Sequence, residues 1–134
     1  MKLLTLKEYQ DQYDEDFEIS RTKLIQFSID LPILYNKYLR YYYYETQNFN
    51  KGEAKLKQLY FEIYYEYKEK HPYPLKNSEC EWHTESDKRY QELYLKVQYL
   101  KQKVKYLEKV VRQIPYLSNT VKNIIEMIKF ENGT

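Results

Sequence analysis

YQELYLKVQYLKQKVKYLEKVVRQI, residues 90–114, decides the fold. Stepping by sevens from Tyr90 gives Tyr90, Val97, Val104 and Val111, and stepping from Leu93 gives Leu93, Leu100, Leu107 and Ile114. Every position of both rows is apolar over more than three heptads, with β-branched residues set against leucines, which predicts a long helix packed along a seam. Pro115 is expected to break or kink it. Beyond the proline, Leu117, Val121, Ile124, Ile125, Ile128 and Phe130 predict a further amphipathic helix, stopped by Asn132-Gly133.

The partner of this seam lies upstream. Residues 31–70 also read as helix, with Pro32 in the first turn and Asp30 as a possible cap. One heptad row there is Tyr35, Tyr42, Phe49, Leu56 and Ile63; the companion row, Tyr38, Glu45, Gly52, Leu59 and Glu66, is mixed. Asn48 to Gly52 is the expected place for a kink or break. His71-Pro72-Tyr73-Pro74 must end the helix, because two prolines in three residues cannot continue it. Residues 71–86 then read as a polar connection, with Thr84 or Ser86 capping the next helix. The expected architecture is all-α, with long antiparallel helices forming a hairpin and a C-terminal oligomerisation helix. It is one helical domain, 1–134, divided into an acidic arm (1–18), a first helical region (30–70), a Pro-marked connection (71–86) and C-terminal helices (87–131).

Composition narrows the chemistry. The chain of 134 residues has 18 Tyr but only 2 Gly and 1 Cys. Two glycines cannot build a phosphate-binding loop that needs several at fixed offsets. A lone Cys80 excludes an internal disulfide and a multi-cysteine zinc site, and Cys80 with His83 lacks the further ligands of a metal centre. No apolar run approaches the ~20 residues of a membrane span. No serine or cysteine sits in a nucleophile context, and no acid pair has a histidine nearby. An enzyme is not expected, nor a cofactor. Lysines far outnumber arginines, and with the many tyrosines this matches an AT-rich genome, since Tyr and Lys have AT-rich codons.

Charge is uneven. Residues 1–20 set six acids against Lys2 and Lys7, whereas residues 96–134 set eight basic residues against three acids. A basic C-terminal third suggests a polyanion-facing surface. On the helix of residues 90–114, Tyr94, Gln98, Lys101, Lys105, Lys109 and Arg112 fall in one sector and could track phosphates. Upstream, Lys51, Lys55 and Lys57 precede Tyr60, Phe61, Tyr64 and Tyr65, and Arg40 neighbours Tyr41, Tyr43 and Tyr44. Lysines beside flat rings suit single strands, where rings stack bases and cations meet phosphates. Helical aromatics also commonly pack in cores. The helix of residues 90–114 carries more apolar residues than a hairpin needs. Leu95, Tyr99, Tyr106 and Val110 lie off its seam and, with Leu117, Val121, Ile124, Ile125 and Ile128, are expected to form a homo-oligomeric interface.

The order of segments resembles a known family. An acidic arm is followed by Ile19-Ser20-Arg21-Thr22-Lys23-Leu24, then Leu34-Tyr35-Asn36-Lys37-Tyr38-Leu39, a basic-aromatic helix ending in Tyr64-Tyr65, and Tyr73-Pro74-Leu75-Lys76. The chain closes on Lys122-Asn123-Ile124-Ile125-Glu126-Met127-Ile128-Lys129-Phe130-Glu131-Asn132-Gly133. Over roughly residues 15–133 this resembles the UvsY recombination mediators of myophages. The resemblance implies a ring-like homo-oligomer that binds single-stranded DNA, helps displace the single-strand-binding protein and loads a recombinase of the UvsX type, in the cytoplasm of the infected bacterial host. It also implies a basic-x-basic pair one turn before two aromatics. Lys55-Leu56-Lys57 with Tyr60-Phe61 fits that spacing; a register anchored on Tyr64-Tyr65 would put Leu59 and Phe61 at the basic positions. A coiled-coil scaffold without nucleic-acid binding is the alternative reading.

Overall fold

The computed structural model describes residues 3–133; Lys2, counted in the N-terminal charge, lies outside them. The described residues are helical with no strand: α1 (Leu6–Asp16), a short 3-10 turn at Arg21–Lys23, α2 (Leu24–Lys70), α3 (Asn77–Ser86) and α4 (Lys88–Glu131). The chain forms two compact units, one of Met1–Glu45 with Lys103–Thr134 and one of Thr46–Gln102.

In the first unit α1 is a docked helix within what the sequence marks only as an acidic arm. Thr5 and Glu8 form a reciprocal capping box at its start. Tyr9, Tyr13 and Phe17 recur at every fourth position, so they share one face. Tyr9 and Phe17 are buried, while Glu8, Asp11, Asp14 and Glu15 face water. Those four acids are thus the outer face of an amphipathic helix, whereas Asp16 turns inward to Tyr38 and Lys37. Its inner face builds an aromatic core: Tyr13 stacks on Phe17 at 4.6 Å, Phe17 meets Tyr38 at 5.4 Å, and Tyr9 meets Tyr41 at 5.1 Å.

The buried phenols are matched to acids. Tyr38 donates to Asp16 Oδ2 at 2.9 Å, and Lys37 Nζ donates to the same oxygen at 2.8 Å. Tyr9 donates to Glu45 Oε1 at 3.0 Å. Burial first, and the adjoining carboxylates second, push both phenols well above their ordinary range, so both stay neutral donors. Lys103 Nζ donates to Glu45 Oε1 at 3.0 Å and to the Leu4 carbonyl at 3.1 Å. Glu45 and Lys103 are both buried. The mixed heptad row of α2 thereby has its explanation: the glutamate in the seam meets a lysine from α4.

One expected helix start and two expected breaks are absent. α2 begins at Leu24, so Pro32 lies inside it and Asp30 is no cap. Leu24, Phe27 and Leu31 are all buried at helical spacing, and that burial holds the turns before the proline. Asn48 to Gly52 is uninterrupted helix, and so is Pro115, where α4 runs on to Glu131. There is no separate C-terminal helix. Ile114 and Val121, buried on either side of Pro115, offset the hydrogen bond the proline removes. The stop at Gly133 is as expected, with φ 70 in the left-handed region that glycine tolerates.

In the second unit the residue 46–70 part of α2 and the residue 88–102 part of α4 run antiparallel. A Cβ on Gly52 would lie 3.2 Å from Leu100 Cδ1 and 3.3 Å from Val97 Cγ2, so glycine permits this close approach. α2 ends at Lys70, before the expected prolines. The connection is shorter than expected, because α3 occupies residues 77–86. Cys80 and Thr84, four apart, are fully buried and pin α3, and Thr84 Oγ1 donates to the Cys80 carbonyl at 2.6 Å. Thr84 is therefore no cap. That role falls to Asp87, whose Oδ1 accepts from the Arg89 backbone N–H at 2.9 Å. Asp87 also accepts from the Arg89 guanidinium and from Tyr67 at 3.0 Å, and Arg89 reaches Glu66 at 3.1 Å.

Two outcomes follow from these contacts. Glu45→Ala leaves Lys103 buried without its anion and should cost about 3–5 kcal/mol in urea unfolding. Glu45→Leu with Lys103→Met should recover most of that loss; a double variant no better than the single would refute the coupling. The second outcome concerns Asp87. Hydrogen bonds from Arg89 hold its carboxyl at about 2, below its ordinary 3.8. The folded value is depressed, so the stabilisation is full above about pH 4 and is lost as pH falls toward 2. Asp87→Asn should unfold more easily by about 1–2 kcal/mol at neutral pH, with the difference gone near pH 2 in thermal melts.

Candidate nucleic-acid interface

The second unit carries a continuous set of surface rings contributed by two helices. On α2, Tyr64 meets Tyr65 at 5.5 Å and stacks on Tyr60 at 6.3 Å, and Tyr60 meets Phe61 edge-on at 5.8 Å. Tyr60 then contacts Tyr90 of α4 at 5.7 Å, and Tyr90 stacks on Tyr94 at 6.0 Å. These are the centroid separations at which aromatic pairs attract one another, so each ring is braced by its neighbour. Phe61, Tyr65 and Tyr94 are exposed at 47%, 51% and 42%, leaving faces open for a further planar group. Tyr60 and Tyr90 are the half-buried centre, and burial raises both phenols above their ordinary range, so they remain neutral.

Cations flank the rings. A shallow groove is lined by Glu53, Leu56, Lys57, Tyr60, Phe61 and Tyr90. Lys68 sits with Nζ 5.8 Å from the centroid of Tyr64, and both donate to Asn77 Oδ1, Tyr64 at 3.1 Å and Lys68 at 3.2 Å. Lys57, Tyr60, Phe61, Tyr64 and Lys68 share one side of α2. Lys51 and Lys55 do not: at ~100° per residue, Lys55 projects about 160° from Lys57. The two members of the basic-x-basic pair thus point apart, and only Lys57 joins the rings, although all three lysines are exposed.

The second basic stripe divides between the units. Lys101 is exposed in the second unit. Lys105, Lys109 and Arg112 are exposed in the first. Arg112 is tied to Glu108 one turn away, whereas Lys105 and Lys109 have no ion-pair partner among the described residues. Arg40, Tyr43 and Tyr44 are exposed, but Tyr41 packs on Tyr9 and Tyr38.

The residues expected to join subunits fall in different surroundings. Val110 and Val121 are buried in the first unit's own core, and Tyr106, Leu117, Ile124, Ile125 and Ile128 pack partly against it. The stripe looked surplus in the sequence because α1 and the start of α2, which contribute Tyr9, Phe17, Leu24, Phe27 and Leu31 to that core, were not read as its partners. Leu95 and Tyr99 remain exposed.

Sequence reading reached Tyr60, Phe61, Tyr64, Tyr65 and Lys57, but it assigned Tyr90 to the helix seam and passed over Lys68. Tyr90 and Tyr94 are four apart, which places them on one face of α4. Their approach to Tyr60 depends on the pairing of two helices and has no local signature. Around Cys80, His83 stacks on Tyr67 at 5.0 Å, and among the described residues no group of His, Cys, Asp or Glu is arranged to hold a metal. No helix among them is long and apolar enough to cross a membrane.

No curated protein matches the sequence. Two crystal structures of the bacteriophage T4 recombination mediator protein UvsY, in lattice types IV and II, share the fold, with TM-scores of 0.85 and 0.81 at 20% and 21% identity. Each match covers 96% of this chain, and 99% and 98% of the respective T4 chains. The family model described as "Recombination, repair and ssDNA binding protein UvsY" matches residues 12–134. With nearly its whole length matched by that model, the chain belongs to the UvsY family.

Proposed function

We propose that this chain is a recombination mediator that binds single-stranded DNA on the ring ladder of its second unit and helps a recombinase of the UvsX type replace the single-strand-binding protein, promoting presynaptic filament assembly. The observation that carries the reading is the run Phe61–Tyr60–Tyr90–Tyr94, with Lys57 at its edge, on a chain whose family is described by recombination, repair and single-strand binding. Unpaired bases offer flat faces to the exposed rings, and this stacking is indifferent to sequence. Lysines meet the phosphates between bases as point charges. Lys57 and Lys68 lie beside the rings, and Lys101 is a further exposed cation of the same unit.

The chemistry required is binding and release. The protein works as a homo-oligomer, a ring of linked sites, in the cytoplasm of an infected bacterial host. Linking copies turns several modest contacts into one strong grip, because later contacts form at high effective concentration. A strand held across several copies is bent away from the path its coating protein imposes, which favours exchange of that coat. Nucleotide hydrolysis is left to the recombinase.

Fluorescence anisotropy with a labelled oligonucleotide tests this at several salt concentrations. Wild type should bind and weaken with salt; a chain that does not bind would be the coiled-coil scaffold. Phe61→Ala and Tyr94→Ala remove exposed rings at the two ends of the run, and each should weaken binding roughly 5-fold or more. Lys57→Ala should lower the salt slope by roughly 0.7 per chain engaged, and Lys55→Ala should change it less. Equal effects of Lys55→Ala and Lys57→Ala would discard the face assigned here.

A further inference from the structure

The apolar stripe of α4 is used within the first unit, yet that unit still shows a large apolar surface. Ile25, Ile29 and Ile33 are 74%, 60% and 65% exposed. They recur at every fourth residue of α2 and so form a straight row, with ~6 Å between successive members. The opposite side of the same turns is filled by Leu24, Phe27 and Leu31, so the row adds nothing to the core. Three aligned isoleucines in water mark a contact surface. Past Ile33 the face continues into a groove lined by Ile33, Asn36, Lys37, Arg40 and Tyr41. Lys37 is held by Asp16, whereas Arg40 is exposed and has no ion-pair partner among the described residues. This face is apolar and then basic.

The same unit carries a second, complementary surface at the end of α4. Met127 is 59% exposed and Phe130 85%. They lie three residues apart, on one side of the helix, in a shallow recess lined by Asn123, Glu126, Met127, Phe130 and Glu131. Its charged lining is acidic only, as that of the α2 groove is basic only. Glu131 also reaches Arg21 of its own chain at 3.6 Å, across exposed side chains that can exchange partners. The isoleucine row and the Met127–Phe130 pair are both left open within one chain.

We propose that the Ile25–Ile29–Ile33 row of one copy receives Met127 and Phe130 of a second copy, with Glu126 of the second set against Arg40 of the first. The inference deepens the homo-oligomer part of the proposed function and rests on it. Charge decides the occupant. A row-on-row pairing would leave Phe130 and its acids uncovered and would give Arg40 no anion, whereas the crossed pairing covers both apolar surfaces and opposes the charges. A contact between two different patches is heterologous. Each copy then offers a free row at one end of the assembly and a free Phe130 at the other, so addition continues until the chain of copies closes into a ring or runs on as a filament.

Light scattering on complementary variants tests this. Ile29→Glu with Ile33→Glu removes the row, and Met127→Glu with Phe130→Glu removes the knob. All four side chains are exposed, so the fold should survive, as circular dichroism will report; Ile29→Ser with Ile33→Ser is the milder substitute if it does not. Wild type should exceed the 16.7 kDa of one chain. Each double variant alone should fall to that mass. An equimolar mixture of the two should give dimers and nothing larger, because one intact row meets one intact knob and both remaining ends are blocked. A wild-type monomer would overturn the oligomer part of the proposed function as well as this contact. Oligomeric wild type with double variants that keep full mass would overturn this contact alone. A mixture that stays monomeric would overturn the crossed pairing in favour of row on row or of a different partner.

Discussion

The seam between α2 and α4 is dry, and that constraint governs what each unit can be. Groups placed in it are apolar, absent or partnered, because a buried polar group without a partner costs more than any single apolar contact returns. In the first unit the seam contains Glu45, whose Oε1 accepts from both Lys103 and Tyr9 while its Oε2 is buried without a hydrogen-bond partner among the described residues. Sliding α4 by one turn would leave both charges buried and unmatched, so the pair selects one register. In the second unit the corresponding device is an absence: Gly52 has no side chain, and Val97 and Leu100 come close to its backbone. An ion pair and a missing side chain serve the same end by opposite means.

The tyrosines follow from the same physics. Tyr9 and Tyr38 extend a large apolar body into the core and direct a hydroxyl at a carboxylate, so they fill volume without breaking the rule of the seam. Tyr60, Tyr64, Tyr90 and Tyr94 are in part released from that task and lie on the surface, stacked within each helix and meeting edge-on between Tyr60 and Tyr90. The division between core rings and surface rings is decided by which side of each helix faces its neighbour.

The acids of the N-terminal segment show how a charge pattern misleads when read without a partner. Six acids in a short stretch suggest a solvated arm, yet the stretch also contains Tyr9, Tyr13 and Phe17 at helical spacing and a Thr5–Glu8 capping box. Burial of that stripe against α2 and α4 makes α1 part of the core. It also changes the meaning of the α4 stripe, whose Val110 and Val121 need no second subunit to cover them.

The sequence alone determined the all-helical class, the long seam from Tyr90 to Ile114, the end of α2 at the His71–Pro74 turn and the stop at Gly133, since these rest on periodicity and on single residues with strong backbone preferences. It also brought forward Lys57, Tyr60 and Phe61, because cations near rings in one helical segment are visible by spacing. Tertiary structure decided the rest. Pro32 and Pro115 are local breakers, but burial of Leu24, Phe27, Leu31 and Val121 outweighs one lost hydrogen bond at each. Lys55 and Lys57 look alike in a list of residues, but on one helix they project about 160° apart, so of the two only Lys57 lies beside the rings. Tyr90 joins Tyr60 across two helices, a juxtaposition set by helix register. Periodicity is a property of one segment, whereas contact is a property of two, and the candidate interface is made of contacts.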